Sequence, residues 1–180
     1  MTRHYLHQTI AQYIFFFFLA SILGYCWEVI LVFVIEGTLC NRGFLYGPYL
    51  PVYGVGAVLM LLLLRPLQKR PVLVFLLAGL LGSVIEYLIG LLLYQVWGLR
   101  YWDYSTYPLN LSGYICLYSI LGFAIAGVLW VCMLARLASF LWRKIPARRQ
   151  HIILTLLVLV FMIDCCAALL IPNKGTGVTF

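Results

Sequence analysis

From residue 10 onward the chain is a succession of apolar runs, each long enough to cross a bilayer. Lipid offers no hydrogen bonds, so such a chain must satisfy its backbone N–H and C=O groups internally, and helices do this run by run. The runs cover residues 10–35, 48–64, 71–96, 111–134 and 152–171, and each is near the roughly 20 residues that a spanning helix needs. Composition agrees, because 65% of the 180 residues are apolar and only 9% are charged, outside the range of soluble domains. The expected fold is an all-α integral membrane protein of about five transmembrane helices, one polytopic domain over residues 1–180 with no room for a soluble domain. Arg3 precedes the first run, as it would in a signal peptide. That run exceeds the roughly 7–15 residues of a signal's apolar region, so it is read as a retained helix.

The connections between runs divide the cations unequally. Arg3, Arg65, Lys69, Arg70, Arg136, Arg143, Lys144, Arg148 and Arg149 fall on one side, while Arg42, Arg100 and Lys174 fall on the other. Lys and Arg accumulate in cytoplasmic loops, so the N-terminus is expected to be cytoplasmic and the C-terminus external. The formal net charge of +7 follows from this bias and calls for no nucleic-acid partner. The connection expected from Arg136 to Arg149 is basic and contains Trp142, which suits membrane lipid headgroups or a cytoplasmic partner.

The least lipid-like stretch of the first half is Asn41-Arg42-Gly43-Phe44-Leu45-Tyr46-Gly47-Pro48-Tyr49-Leu50-Pro51-Val52-Tyr53-Gly54. Its glycines and prolines oppose a continuous helix. Irregular backbone at membrane depth is stable only when packed on protein or lining a wet cavity, which makes this turn the first place to look for a site.

Two carboxylates sit inside the runs on faces of small residues. Ser21, Gly24 and Glu28 share one helical face, as do Gly79, Gly82, Glu86 and Gly90, and small residues let another helix approach closely. An intramembrane carboxylate is costly unless paired, hydrogen-bonded or protonated, so both mark functional or network positions. Gly24-x-x-x-Glu28 recurs as Gly82-x-x-x-Glu86 at an offset of 58, and each is followed by an arginine-bearing aromatic turn and a helix opened by proline and glycine. This reads as a tandem repeat of two-helix units, 10–68 and 71–140, with an extra helix at 151–171. An even number of spans per unit would relate the copies through an axis along the membrane normal. Chance similarity of apolar segments gives the same signal.

The second turn contains Arg100, Trp102, Asp103, Pro108, Asn110, Gly113 and Tyr114. Its Tyr101-Trp102-Asp103-Tyr104 run has the character of an interfacial aromatic belt, and Asp103 beside Arg100 adds a recognition surface. The candidate binding residues are thus Glu28, Asn41, Arg42, Tyr46, Tyr53, Glu86, Arg100, Trp102, Asp103 and Asn110. Either the two glutamates close a rigid network with Arg42, Arg100 and the helix starts, or they serve ligand or ion passage. Asp164, before Cys165-Cys166 in the last run, is a weaker candidate expected to face the bundle and bond to a neighbour. Cys26, Cys116, Cys132, Cys165 and Cys166 are expected to be small buried hydrophobes within the runs, with Cys40 in a loop; no CxxC or metal spacing is present, and no cofactor is implied. His4, His7 and His151 all lie toward the cytoplasmic edge, so an external hydrolase would lack a histidine base. No catalytic motif stands out.

Glu28, the Asn41 to Pro48 block with Pro51 and Tyr53-Gly54, then Gly82, Glu86-Tyr87, Trp102-Asp103-Tyr104 and Asn110 with Gly113 together resemble the bacterial membrane family described as Putative ABC-transporter type IV, or CmpB-like. The resemblance covers roughly residues 20 to 130. It implies a permease-like protein of the bacterial inner membrane. The chain contains no Gly-x-x-x-x-Gly-Lys-Ser/Thr phosphate loop, so ATP coupling would come from a separate ATPase subunit. The leading expectation is a small transporter, assembled as a homo-oligomer because five helices enclose little volume. The second class is an envelope-assembly, lipid-headgroup-binding or lipid-modifying membrane protein, since arginines near helix starts suit phosphate.

Overall fold

A computed structural model of the chain describes residues 10–173, so Arg3, His4, His7 and Lys174 lie outside the described residues. Five helices follow in order: α1 (Ile10–Glu36), α2 (Pro51–Leu64, prolonged by a 3₁₀ turn at Arg65–Leu67), α3 (Pro71–Trp97), α4 (Leu117–Arg143) and α5 (Ala147–Leu170). Helices α1, α3, α4 and α5 are long and apolar enough to cross a membrane, whereas α2 is shorter. The chain is thus an all-helical, multi-pass type of protein, with no strand among the described residues.

Four boundaries differ from the sequence expectation: the start of α2, both ends of α4, and the start of α5, which is Ala147 and not residue 152. Helix α2 begins at Pro51, not residue 48, because Leu50 is extended and Pro51 takes the first helical position, where its missing N–H costs nothing. Helix α4 begins at Leu117, not residue 111. Residues 111–116 instead form a tight turn, with Leu111 bridged to Ile115 and with Ser112 and Gly113 at positive φ. Helix α4 then continues to Arg143, so Arg136 lies on a helix and only residues 144–146 separate it from α5. Ala135, Ala138, Ser139 and Trp142 are buried on one face there, and the cations on the other face lowered the hydropathy enough to resemble a loop. Trp142 is accordingly not a headgroup anchor. It is buried and stacks on Phe15 with ring centroids 4.2 Å apart.

The connections at 37–50 and 98–116 fold back along α1 and α3 instead of leaving the bundle. Gly37 and Gly98 end these helices at φ 71° and 67°, a left-handed geometry that glycine adopts without penalty. From there the first loop descends until the Leu50 N–H donates to the Ser21 carbonyl at 3.0 Å, well inside α1. In the second loop Trp102 and Tyr114 cover Gly90 of α3, and the Trp102 indole N–H bonds the Tyr114 carbonyl at 2.9 Å. Leu45, Tyr49 and Leu50 of the first loop and Leu99, Tyr101, Tyr114 and Cys116 of the second are buried. Irregular backbone at membrane depth is thus packed on protein, as lipid requires. These loops define the loop end of the bundle, and the short connections 68–70 and 144–146 define the turn end.

Small residues set the helix contacts. Gly24 lies against the Tyr53 ring and Gly54 against Ser21 and Phe17, joining α1 to α2. Gly82 lies against Phe123 and Gly79 against Ala124, joining α3 to α4. The common core contains Phe16, Met60, Leu61, Val74, Ala78 and Trp130. Helix α4 widens by one π turn at Trp130–Leu134, and the Trp130 indole N–H bonds the Ala57 carbonyl at 3.0 Å. Of the cysteines expected to be buried, Cys116 is buried, Cys132 and Cys165 are half-buried, and Cys26 and Cys166 are exposed; Cys40 lies in the first loop and is also buried. Cys26 and Cys166 lie on outward faces of α1 and α5.

Candidate functional site

The fold-back loops bring intramembrane carboxylates and tyrosines together at the level where α2 and α4 begin. The hydroxyl of Tyr53, two residues into α2, donates to Glu28 Oε1 at 2.5 Å. Arg42 Nη2 lies 3.6 Å from Glu28 Oε2, so each Glu28 oxygen has a partner. The Tyr104 hydroxyl, carried by the second loop, donates to Glu86 Oε1 at 3.3 Å. Tyr53, Tyr104, Glu28 and Glu86 lie within electrostatic reach of one another, which makes them one cluster. Glu28 is half-buried, with its side chain 22% exposed. Glu86 is 8% exposed and its Oε2 is buried with no hydrogen-bond partner. Ser119 faces Glu86 from α4, yet its hydroxyl donates to the Cys116 carbonyl at 3.1 Å. Burial pushes the Tyr104 hydroxyl well above its ordinary pKa, so it remains a neutral donor.

Asp164 of α5 forms a second polar centre. It accepts the Tyr46 N–H at 3.0 Å, the Gly47 N–H at 2.8 Å and the Tyr49 hydroxyl at 2.7 Å. Consecutive loop N–H groups converging on an anion form a nest, here filled by the protein's own carboxylate. Burial, followed by the bond to Asp164, raises the Tyr49 pKa. Asn173 completes the seam: its amide nitrogen donates to the Gly43 and Leu45 carbonyls, each at 3.2 Å, and its carbonyl accepts the Tyr101 hydroxyl at 2.7 Å. Burial pushes the Tyr101 hydroxyl up to about 12.

Of the residues expected to form a site, Glu28, Arg42, Tyr53 and Glu86 are brought together. Asn41 supports them by accepting the Tyr25 hydroxyl at 3.0 Å. Tyr46 anchors the loop end instead, its hydroxyl donating to the Ile171 carbonyl at 2.6 Å. Arg100, Trp102, Asp103 and Asn110 organise the second loop. Arg100 pairs with Asp103 at 3.5 Å and with the Ser112 carbonyl at 2.6 Å, not with Glu86, and Asn110 ties together Ser105, Tyr107 and Gly113. The Ser105 N–H, together with Arg100, holds the Asp103 carboxyl below its ordinary value. Sequence reasoning passed over Tyr104 as a belt residue and ranked Asp164 low. The signal for Tyr104 was its place in the Trp102-Asp103-Tyr104 motif; for Asp164 it was only a lone acid in an apolar run. No trio of His, Cys, Asp or Glu among the described residues could hold a metal ion.

Neither the curated proteins nor the solved structures compared with this chain give a match. The model of a protein family described as Putative ABC-transporter type IV matches residues 15–169, nearly the whole sequence and well beyond the part that carried the resemblance. The chain belongs to that family.

Proposed function

We propose that this membrane protein of a transport-related family is a permease-type transporter whose site is the Glu28, Arg42, Tyr53, Glu86 and Tyr104 cluster. The observation that carries the reading is the convergence of two fold-back loops on two intramembrane carboxylates. Stability alone is a weak reason to keep acids there, because replacing a buried ion pair with apolar packing is often neutral or stabilising. The chemistry suits a cation or proton, with the tyrosine hydroxyls as neutral ligands. The test is complementation of a deletion strain across ionic, nutrient and osmotic conditions. Glu28→Gln and Glu86→Gln should insert and fold yet fail to complement, and full complementation by both would end the reading.

The accompanying assignments belong to the same proposal. The protein lies in the bacterial plasma (inner) membrane with its turn end cytoplasmic, where Arg65, Lys69, Arg70, Arg143, Lys144, Arg148 and Arg149 gather. The two halves are a tandem repeat. Ser21, Gly24 and Glu28 precede Gly79, Gly82 and Glu86 by 58 residues, and Tyr53 and Gly54 precede Phe123 and Ala124 by 70. These are the same positions that make the matching contacts Gly24 to Tyr53 and Gly82 to Phe123. The protein works as a homo-oligomer, and ATP hydrolysis, where used, belongs to a separate subunit docking on the basic turn end.

One observation favours lipid handling as a second reading. A groove of about 470 Å³ between α3 and the start of α4 is lined by Leu76, Leu80, Val84, Leu88, Leu111 and Ile120 and has the character of an acyl-chain site. Filling it with Val84→Trp should lower the phospholipid retained per protein after purification if the groove serves that role.

A further inference from the structure

We propose that Glu86 is a proton-binding site, neutral in the resting protein, with the exchangeable hydrogen on Oε2 and the carbonyl character on Oε1. This deepens the reading of the cluster as a transport site and rests on it for its role, although not for its occupancy. The two carboxylates differ in their partners. Glu28 has the Arg42 guanidinium on one oxygen and the Tyr53 hydroxyl on the other. Glu86 has the Tyr104 hydroxyl on Oε1 and the Ser119 hydroxyl facing it from α4, and its Oε2 is buried without a hydrogen-bond partner. The groups facing Glu86 are Tyr104 from the second loop, Ser119 from α4, Glu28 from α1 and Tyr53 from α2. None of them is a cation, and one is a second acid.

Two acids and one guanidinium in a single low-dielectric cluster balance only when one acid is neutral. The neutral one is Glu86, since Arg42 lies against Glu28. A desolvated carboxylate oxygen without a partner is far more costly than a desolvated acid hydroxyl. The transfer is a simple one: Oε2 gains an O–H bond from a hydronium ion at the loop end, release returns the proton to water, and no electrons move. Tyr104 acts as a positioning residue, fixing which oxygen is the carbonyl.

Infrared spectroscopy of the full-length protein in liposomes tests this directly. Wild type near neutral pH should show a protonated-carboxyl carbonyl band that shifts in deuterium oxide, disappears in Glu86→Gln and persists in Asp103→Asn. Tyr104→Phe should move the band to higher frequency, because the carbonyl loses its hydrogen bond; this variant stays informative even where Glu86→Gln fails to fold. Absence of the band in wild type, or its survival in Glu86→Gln, overturns the proposal. An unshifted band in Tyr104→Phe also overturns the assignment of the two oxygens. These outcomes are independent of complementation, so a failed proton site is distinguishable from a failed transport site.

Discussion

The ring of Tyr53 lies directly on the backbone of Gly24, leaving no room for a side chain at position 24. The same contact delivers the Tyr53 hydroxyl to Glu28, one helical turn further along α1. Helix packing and site geometry are therefore one arrangement. Gly24→Ala should destabilise the protein by about 1–3 kcal/mol through overpacking and disturb the Glu28 bond as well. Gly122→Ala is the matched control, since a Cβ there meets nothing within 4 Å and removing a helical glycine stabilises by roughly 0.5–1 kcal/mol. Melting curves in detergent should separate the two in opposite directions.

The Glu28 and Arg42 pair is half-buried, with side chains 22% and 15% exposed. Glu28→Gln should cost about 1–3 kcal/mol, below the 3–5 kcal/mol of a fully buried pair. Arg42→Gln added to it should restore part of that loss, because the stranded guanidinium is then gone. A double-mutant cycle on unfolding free energies reads the coupling, and simple additivity would show that the two side chains do not interact.

Asp164→Ala should leave two loop N–H groups and the Tyr49 hydroxyl without their acceptor. Only the Tyr49 hydroxyl is buried, at about 1–3 kcal/mol for a buried unsatisfied group, and the two part-buried N–H groups add less, so the loss should be about 2–4 kcal/mol and should free residues 44–49 for proteolysis. Asp164→Asn keeps one acceptor oxygen and should lie between wild type and alanine. Equal stability of Asp164→Ala and wild type would mean that the nest does not hold α5 to the loop.

Asp103 gives the second loop a pH dependence of known sign. Its carboxyl titrates below the ordinary value in the folded loop, through the Ser105 N–H and Arg100. Its contribution is therefore full above the ordinary carboxylate range and is lost as the pH falls through the lowered value. Amide hydrogen exchange in residues 98–116 should quicken over that acidic window in wild type, and the change should be absent in Asp103→Asn.

Orientation can be read by labelling. In a cysteine-free background, Lys69→Cys should be shielded from an impermeant reagent added outside cells and Thr106→Cys should react, both positions being exposed. The opposite pattern would invert the proposed topology.

Much of this fold was legible because membrane helices announce themselves by apolar length: α1 and α3 run within a residue or so of the expected ends. The ends of α4 were not, because its start depends on the positive-φ turn at Ser112 and Gly113 and its finish on an amphipathic face around Trp142 that hydropathy scores as polar. Glu28 and Glu86 stood out as acids in apolar runs. Their partners did not: Tyr104 and Arg42 lie 18 and 14 residues away, and only the fold-back of the loops brings them in. Arg100 shows the same limit, since nothing local says that it prefers Asp103 and the Ser112 carbonyl to Glu86.

The most direct test of the account is the pairing of stability with function in Glu86→Gln. The amide oxygen can still accept the Tyr104 hydroxyl, and no ion pair is lost. The account predicts a melting temperature within about 2–4 °C of wild type, less than 1 kcal/mol for a chain of this size, together with failed complementation. Full complementation, or a loss of folded protein large enough to explain the failure, would contradict it.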